Sequence, residues 1–522
     1  MSSAEQQNNK RIAKNTLLLY FRMLFLTCIG LYTSRVILKH LGVVDFGIYN
    51  VVGGVVSMFN LISSSLSTSI SRFITFELGR QNSDSLKKVF SSSVTIQFFL
   101  AAVIVAIAEP VGLWFLNEKM VIPEARMAAA NWVFQFSIVT FCMQLISVPY
   151  NAAIVAHEKM SAFAYISIVD AVLKLAVAFL ITVSPVDKLV FYAAFLCGIS
   201  CLMRLIYGAY CSRHFAECKY KISMWDKTLL KQMFSFAGWN FIGCSAGVLK
   251  DYGGNILLNL FFGPVVNAAR SIALQVSNHI QAFVQNFMIA LNPQITKSYA
   301  KGDYDYMMKL IFAGARFSFY LLLLLSLPVM LNCRFLLNLW LTQVPDHTVL
   351  FVELILVYVM SESISNPLIT AQAATGNIRN YQIVVGGVQL LNIPVSYALL
   401  KKGLFPEIVV VVTIALSQIS LFLRLYFLKS MIKLKWKAFL KRVYFNVLLV
   451  SVFALIAPLI ASLFLDDGVV TFIVVSVLAV ICSVFSILFI GCNSSERHTL
   501  LAKTKEILQN RFGLFLRKGS VQ

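Results

Sequence analysis

Acidic side chains are scarce in this chain. Only 23 Asp and Glu stand against 44 Lys and Arg, and charged residues of both signs fill just 13% of its 522 positions. A soluble domain is about a quarter charged and cannot hide a composition that is 59% hydrophobic. Patterned cysteine is missing too. Ten Cys lie scattered in apolar runs, with no CxxC and no Cys/His spacing. That excludes a zinc module and leaves them as small apolar packing residues. No GxxxxGK[ST] occurs, so ATP is not a direct driver. The loops hold no Ser/His/Asp, paired-carboxylate or metal constellation, and the loops of the less basic set are short. This argues against an enzyme, such as a polymerase or ligase with a large outer catalytic loop. No cofactor and no metal are expected.

Apolar runs of about 20 residues are what the chain does have. Such a run spans roughly 30 Å of hydrocarbon as a helix. The runs are continuous rather than alternating, which excludes a membrane barrel. Helices are predicted at 15–38, 45–72, 91–116, 127–155, 160–183, 188–211, 233–262, 264–296, 308–333, 348–374, 378–400, 404–428, 443–465 and 468–492. The fold class is therefore an all-α polytopic membrane protein of about fourteen transmembrane helices. No small-residue cleavage site follows Lys10, Arg11 and Lys14, so the first helix is expected to be retained.

The net charge of +21 would suggest nucleic acid in a soluble protein. Here Lys and Arg concentrate in alternate loops: the N-terminus, 73–90, 156–159, 212–232, 297–307, 375–377, 429–442 and the tail. The positive-inside rule then places both termini in the cytoplasm, and no nucleic-acid partner is called for. The stretch 212–232 reads as a linker between two six-helix halves. The expected division is an N-lobe over 1–211, the linker, a C-lobe over 233–428, a basic loop with two further helices over 429–492, and a tail over 493–522. The tail from Glu496 to Lys518 reads as an amphipathic surface helix.

The two halves resemble each other. A shift of 221 residues sets Gly42 on Gly263, Val44 on Val265, Ile74 on Ile295, Thr75 on Thr296 and Arg80 on Lys301. With small gaps, Leu113-Trp114 meets Leu339-Trp340, and Pro149 meets Pro367. Six helices per copy keep both copies in one orientation, the parallel pseudo-twofold arrangement of rocking transporters. Pro149 and Pro367 are expected to bend their helices at equivalent sites.

With this layout, two stretches carry a resemblance: SRVILKHLGVVDFGIYNVVGGVVSMFNLISSSLSTSISRFITFELGR (34–80) and FFGPVVNAARSIALQVSNHIQAFVQNFMIALNPQITKSYAKGD (261–303). They resemble bacterial polysaccharide and O-antigen flippases of the MOP superfamily. The resemblance implies a V-shaped two-lobe fold and a central cavity. It implies alternating-access transfer of an undecaprenyl-pyrophosphate-linked oligosaccharide (an O-antigen, capsule or exopolysaccharide repeat) from the cytoplasmic to the periplasmic leaflet of the inner membrane. The alternative is a MATE-type cation-coupled multidrug exporter. Partners would be the lipid-linked oligosaccharide and membrane lipids, with a polysaccharide polymerase and a chain-length regulator as candidates.

Ionisable residues at bilayer depth cost about 2.5–3.5 kcal/mol on insertion scales, so they mark function. Arg22, Arg35, Arg72 and Arg270 are candidates for a cationic cavity, since guanidinium forks suit a diphosphate; snorkelling to an interface is the other reading. Lys174 and Lys250 join that set. Asp170, four residues before Lys174, is spaced to pair with it. Lys250 and Asp251 are adjacent, about 100° apart on a helix, so each is expected to need its own partner. Asp170, Asp251 and Glu362 are candidates for coupling to H+ or Na+. Arg204, Arg316, Arg334 and Arg424 lie near helix ends and read as snorkelling. A Ser/Thr run at 63–69 and the series Asn267, Gln275, Asn278, Gln281, Gln285 and Asn286 form polar faces that either glue helices together or line a wet cavity.

Overall fold

The computed structural model describes residues 3–498, apart from 58, 119, 121, 222, 223, 225, 342, 343, 466, 467 and 495. Beyond His498 the expected tail helix lies outside the described residues. Among the described residues eighteen α-helices follow one another: α1 (Ser3–Ser57), α2 (Asn60–Arg80), α3 (Ser83–Glu118), α4 (Glu124–Ala156), α5 (Met160–Leu180), α6 (Lys188–His214), α7 (Lys227–Phe262), α8 (Pro264–Ala300), α9 (Tyr304–Leu331), α10 (Cys333–Trp340), α11 (Thr348–Ser363), α12 (Asn366–Thr375), α13 (Arg379–Leu390), α14 (Asn392–Lys401), α15 (Ile408–Ile432), α16 (Trp436–Phe439), α17 (Phe445–Phe464) and α18 (Val469–Ser486). Broken crossings and one short helix account for the excess over about fourteen: α11 with α12 and α13 with α14 each make one span, as do α16 with α17, and α10 has only eight residues. Gly42 divides α1 into two.

The physical reason for so much helix is backbone satisfaction. In hydrocarbon every N–H and C=O must be paired within the segment. Among the described residues, eleven helices are long and apolar enough to cross a membrane. The long helices α7 and α8 fall short of that mark, at 36 and 37 residues, as does α2. Of these, α2 and α8 carry the polar faces. Side chains such as Phe464, 85% exposed, and Leu463, 76% exposed, clothe α17, a coat that only lipid suits. The protein is a multi-pass membrane protein.

Left-handed backbone positions recur in the order of the internal repeat. Gly42 has φ 83° and its counterpart Gly263 has φ 79°. Gln81 at φ 58° is matched by Gly302 at φ 75°, again 221 residues on, and Glu158 at φ 58° by Gly376 at φ 79°. The repeat is therefore written in backbone geometry at the ends of corresponding helices. Gly42 also has ψ 167°, a region essentially reserved for glycine, where another residue costs about 1–3 kcal/mol. Gly42→Val should lower unfolding stability in detergent by about that amount, read by thermal melting, whereas Gly47→Ala, inside regular helix, should change little. The prolines behave differently. Pro367 sits where α11 gives way to α12, whereas Pro149 lies inside a continuous α4.

Two compact units contain these elements: Met1–Asp251 with Gln285–Ile311 and Pro367–Leu390, and Tyr252–Val284 with Phe312–Asn366 and Leu391–Gln522. In the first, α4 packs on α6 and α1 on α5. Glycine lets α7 approach α13 there, with the Gly243 Cα near Gly386 and the Gln382 amide filling the space a Cβ on Gly243 would need. Asp187 caps α6 by accepting from the Leu189 and Val190 N–H groups at 3.0 and 3.1 Å. It also takes Arg126, which holds Asp45 at 2.6 Å as well. Burial works against the Asp187 charge, but these donors hold its carboxyl below the usual range. In the second unit α17 packs on α18, and α11 and α14 on α15.

Candidate functional site

In the first unit, the Lys174 ammonium donates to the Asp170 carboxylate at 2.7 Å, one turn away on α5. Lys174 also faces a cavity of about 200 Å³ shared with Tyr49, Asn60, Thr140 and Gln144. Arg22 on α1 is half-buried, its guanidinium 4.3 Å from the Phe163 ring centre. Its buried Nε has no hydrogen-bond partner among the described residues. Arg35 is exposed. Lys250 Nζ lies 3.7 Å from Asp251 Oδ1. The expectation that these neighbours cannot meet is therefore wrong, because the flexible four-carbon lysine stem bends round the helix.

Arg72, past the middle of α2, is held more elaborately. It donates to the Ala374 carbonyl at 3.0 Å and lies 4.6 Å from the ring centres of both Phe73 and Phe76. Gly376 makes room for it: a Cβ there would sit 2.6 Å from Arg72 Nη2. The pocket around it holds about 660 Å³ and includes Lys231, Trp239 and Arg379.

In the second unit Arg270 is buried, 6% exposed, and donates to the Asn255 side chain on α7. Gly254 leaves space beside it, since a Cβ would lie 3.3 Å from Nη2. Glu362 on α11 pairs with Arg424 on α15 at 2.9 Å. Arg316 binds Glu496 at 2.6 Å and the Gly491 carbonyl at 2.7 Å. Arg316 and Arg424 thus do not snorkel; buried pairing replaces water for both. Arg204 lies over the Tyr150 ring at 4.0 Å.

The polar faces are open. Ser271, Gln275, Asn278 and Gln285 form one exposed row on α8, and Asn60, Ser64 and Thr68 another on α2. Within these rows the Thr68 hydroxyl donates to the Ser64 carbonyl at 3.0 Å and the Ser271 hydroxyl to the Asn267 carbonyl at 2.9 Å.

Residues 12–299 match the family described as polysaccharide biosynthesis protein. The chain belongs to that family. Solved structures of transporters share its fold. One is MATE in the bent conformation, at TM-score 0.72 and 11% identity, over 83% of this chain and 99% of that one. Another is the Vibrio cholerae MATE transporter VcmN in the bent form, at 0.66 and 15%, over 83% and 98%. A third is a MOP superfamily transporter from Pyrococcus furiosus, at 0.68 and 10%, over 84% and 99%, whose binding pocket is described as of reverse polarity. No curated protein sequence matches the chain.

Two acids of this polysaccharide biosynthesis protein escaped the sequence reading. Glu158, in the α4–α5 turn, is a buried hub. Its carboxylate takes Lys297 at 2.6 Å, Gln294 at 2.7 Å and Arg11 at 2.7 Å, and its carbonyl accepts from Asn15 at 3.4 Å. The start of α1, the α4–α5 turn and the end of α8 are thereby tied together. Glu109, beside Pro110 in α3, accepts from the Gln135 amide at 3.0 Å. The signals were an acid in an otherwise basic short loop, and an acid before a proline inside an apolar run.

Proposed function

We propose that this family member is a flippase that carries an undecaprenyl-pyrophosphate-linked oligosaccharide from the cytoplasmic to the periplasmic leaflet of the bacterial inner membrane by alternating access. One observation carries the reading: Arg22 and Arg72, cations of the membrane-embedded helices, have donors to spare, while the acids Asp170 and Glu362 are already engaged. Arg22 and Arg72 each keep a buried Nε without a partner among the described residues. Asp170 and Glu362 are each held by a cation. An anionic head is stabilised in such surroundings, and guanidinium forks suit its diphosphate oxygens. The open amide and hydroxyl rows of α2 and α8 suit sugar hydroxyls. Arg35, Lys174, Lys250 and Arg270 complete the proposed cationic set. Asp170, Asp251 and Glu362 are the proposed sites for H+ or Na+ coupling, with both termini in the cytoplasm.

The cation-exporter reading keeps one observation, Glu109, whose visible partner is an uncharged amide. Leaflet accessibility of the lipid-linked glycan separates the two. Cells lacking the protein should retain the glycan on the cytoplasmic leaflet, and unchanged accessibility would overturn the flippase reading. Arg22→Ala and Arg270→Ala should each slow transfer at least about tenfold at normal protein levels, since a hydrogen bond to a charged group is worth about 1.5–3 kcal/mol and 1.4 kcal/mol is tenfold.

A further inference from the structure

The pocket around Arg72 holds two cations, Lys231 and Arg379, that lie outside the proposed cationic set. Three cations face it, Arg72, Lys231 and Arg379, and no carboxylate is among the described residues that line it. It also holds an aromatic wall of Phe73, Phe236 and Trp239. Like charges gathered at one pocket raise its attraction for an anion, and Glu77, the acid that acts on Arg72, is not in the lining.

The arrangement is built rather than incidental. Arg72 is fixed from one side by the Ala374 carbonyl and from others by the rings of Phe73 and Phe76. Among its remaining donors, Nε is buried and unsatisfied among the described residues, a cost that a bound acceptor would remove. Gly376 at φ 79° both turns the chain into α13 and leaves the volume the guanidinium occupies. Arg379, three residues on, lies 5.3 Å from the Trp239 ring centre, a cation–π contact that holds an otherwise exposed cation at the pocket. Lys231 follows from the first turns of α7, whose start is capped by Asp226 accepting from the Thr228 N–H at 2.8 Å. The pocket is drawn from segments bordering the basic loops 73–90, 212–232 and 375–377.

We propose that this pocket binds the phosphorylated head of a lipid on the basic side of the membrane. Arg72 and Arg379 would engage phosphate oxygens through their forks and Lys231 as a point charge. The face of Trp239 offers an apolar platform for the adjoining group. A volume of about 660 Å³ exceeds what a phosphate needs, so the head extends beyond it. The assignment rests on the flippase reading only for the source of that head, an isoprenyl diphosphate in transit rather than a resident phospholipid.

The test uses the purified full-length protein in nanodiscs. Inorganic pyrophosphate binding to wild type is compared with the Lys231→Ala/Arg379→Ala variant, both positions being exposed and outside the packed core. Affinity should fall at least tenfold, and Arg379→Lys with Lys231 intact should retain most of it. Equal binding by wild type and the double variant would overturn the pocket, as would no binding by wild type. Competition then identifies the source. Displacement of pyrophosphate by geranyl diphosphate in phosphatidylcholine discs supports the isoprenyl head. Displacement only when phosphatidylglycerol is included in the discs overturns that source. Pyrophosphate binding that survives in a protein shown not to alter glycan leaflet accessibility would sink the flippase reading and leave the pocket standing.

Discussion

Glu158→Ala should destabilise the protein by about 3–5 kcal/mol, the range for removing one partner of a buried ion pair. The Glu158 side chain is 1% exposed and faces Lys297, itself only 18% exposed. Without the carboxylate, Lys297 is left charged among packed helices. Arg11 loses less, because half of it already meets solvent and exposed pairs are worth about 0–1 kcal/mol. Two controls separate charge from backbone. Glu158→Gly should be milder than Glu158→Ala by about 1 kcal/mol, because φ 58° suits glycine. Glu158→Leu combined with Lys297→Met should recover most of the loss, since replacing a whole buried pair by apolar groups is often close to neutral. Thermal unfolding in detergent reads all of these. Equal melting of Glu158→Ala and wild type would show that the hub carries no stability.

A second large effect is expected in the other unit. Glu362→Ala strands Arg424, whose side chain is 3% exposed, and should again cost about 3–5 kcal/mol. The pair variant Glu362→Leu/Arg424→Met should melt near wild type. Stability and transport are expected to part company here. If Glu362 takes part in ion coupling as proposed, the pair variant remains folded and fails to move glycan across the bilayer. Recovery of both stability and transfer would remove Glu362 from the coupling role and leave the pair as scaffolding.

How much of this was legible follows from the range of each interaction. The spans were readable because hydrocarbon imposes length and composition on a helix. The Asp170–Lys174 bond was readable because i,i+4 spacing puts both ends on one face. The link between Glu158 and Lys297 joins residues 139 apart, and the Glu362–Arg424 pair joins α11 to α15. No periodicity connects such positions, so Arg424 and Arg316 read as interfacial cations and Glu158 as a lone acid in a basic turn. Lys250 and Asp251 went wrong for the opposite reason. Helical angle alone was considered, and the reach of the lysine stem was not. Arg22, Arg72 and Arg270 were visible as costly cations. The packing that makes room for two of them, at Gly376 and Gly254, is tertiary.

The paired left-handed turns at Glu158 and Gly376 have a consequence for how the two copies diverged. Both turns close equivalent helices with the same handedness. One spends its side chain on a lock for Lys297, while the other does without a side chain and so admits the Arg72 guanidinium. The same bend serves opposite tasks, fastening in the first copy and vacancy in the second. Exchanging them, with Gly at 158 and Glu at 376, would not yield a mirror-image protein. It would unfasten one joint and block the other, so the symmetry of the backbone conceals a division of labour that cannot be swapped.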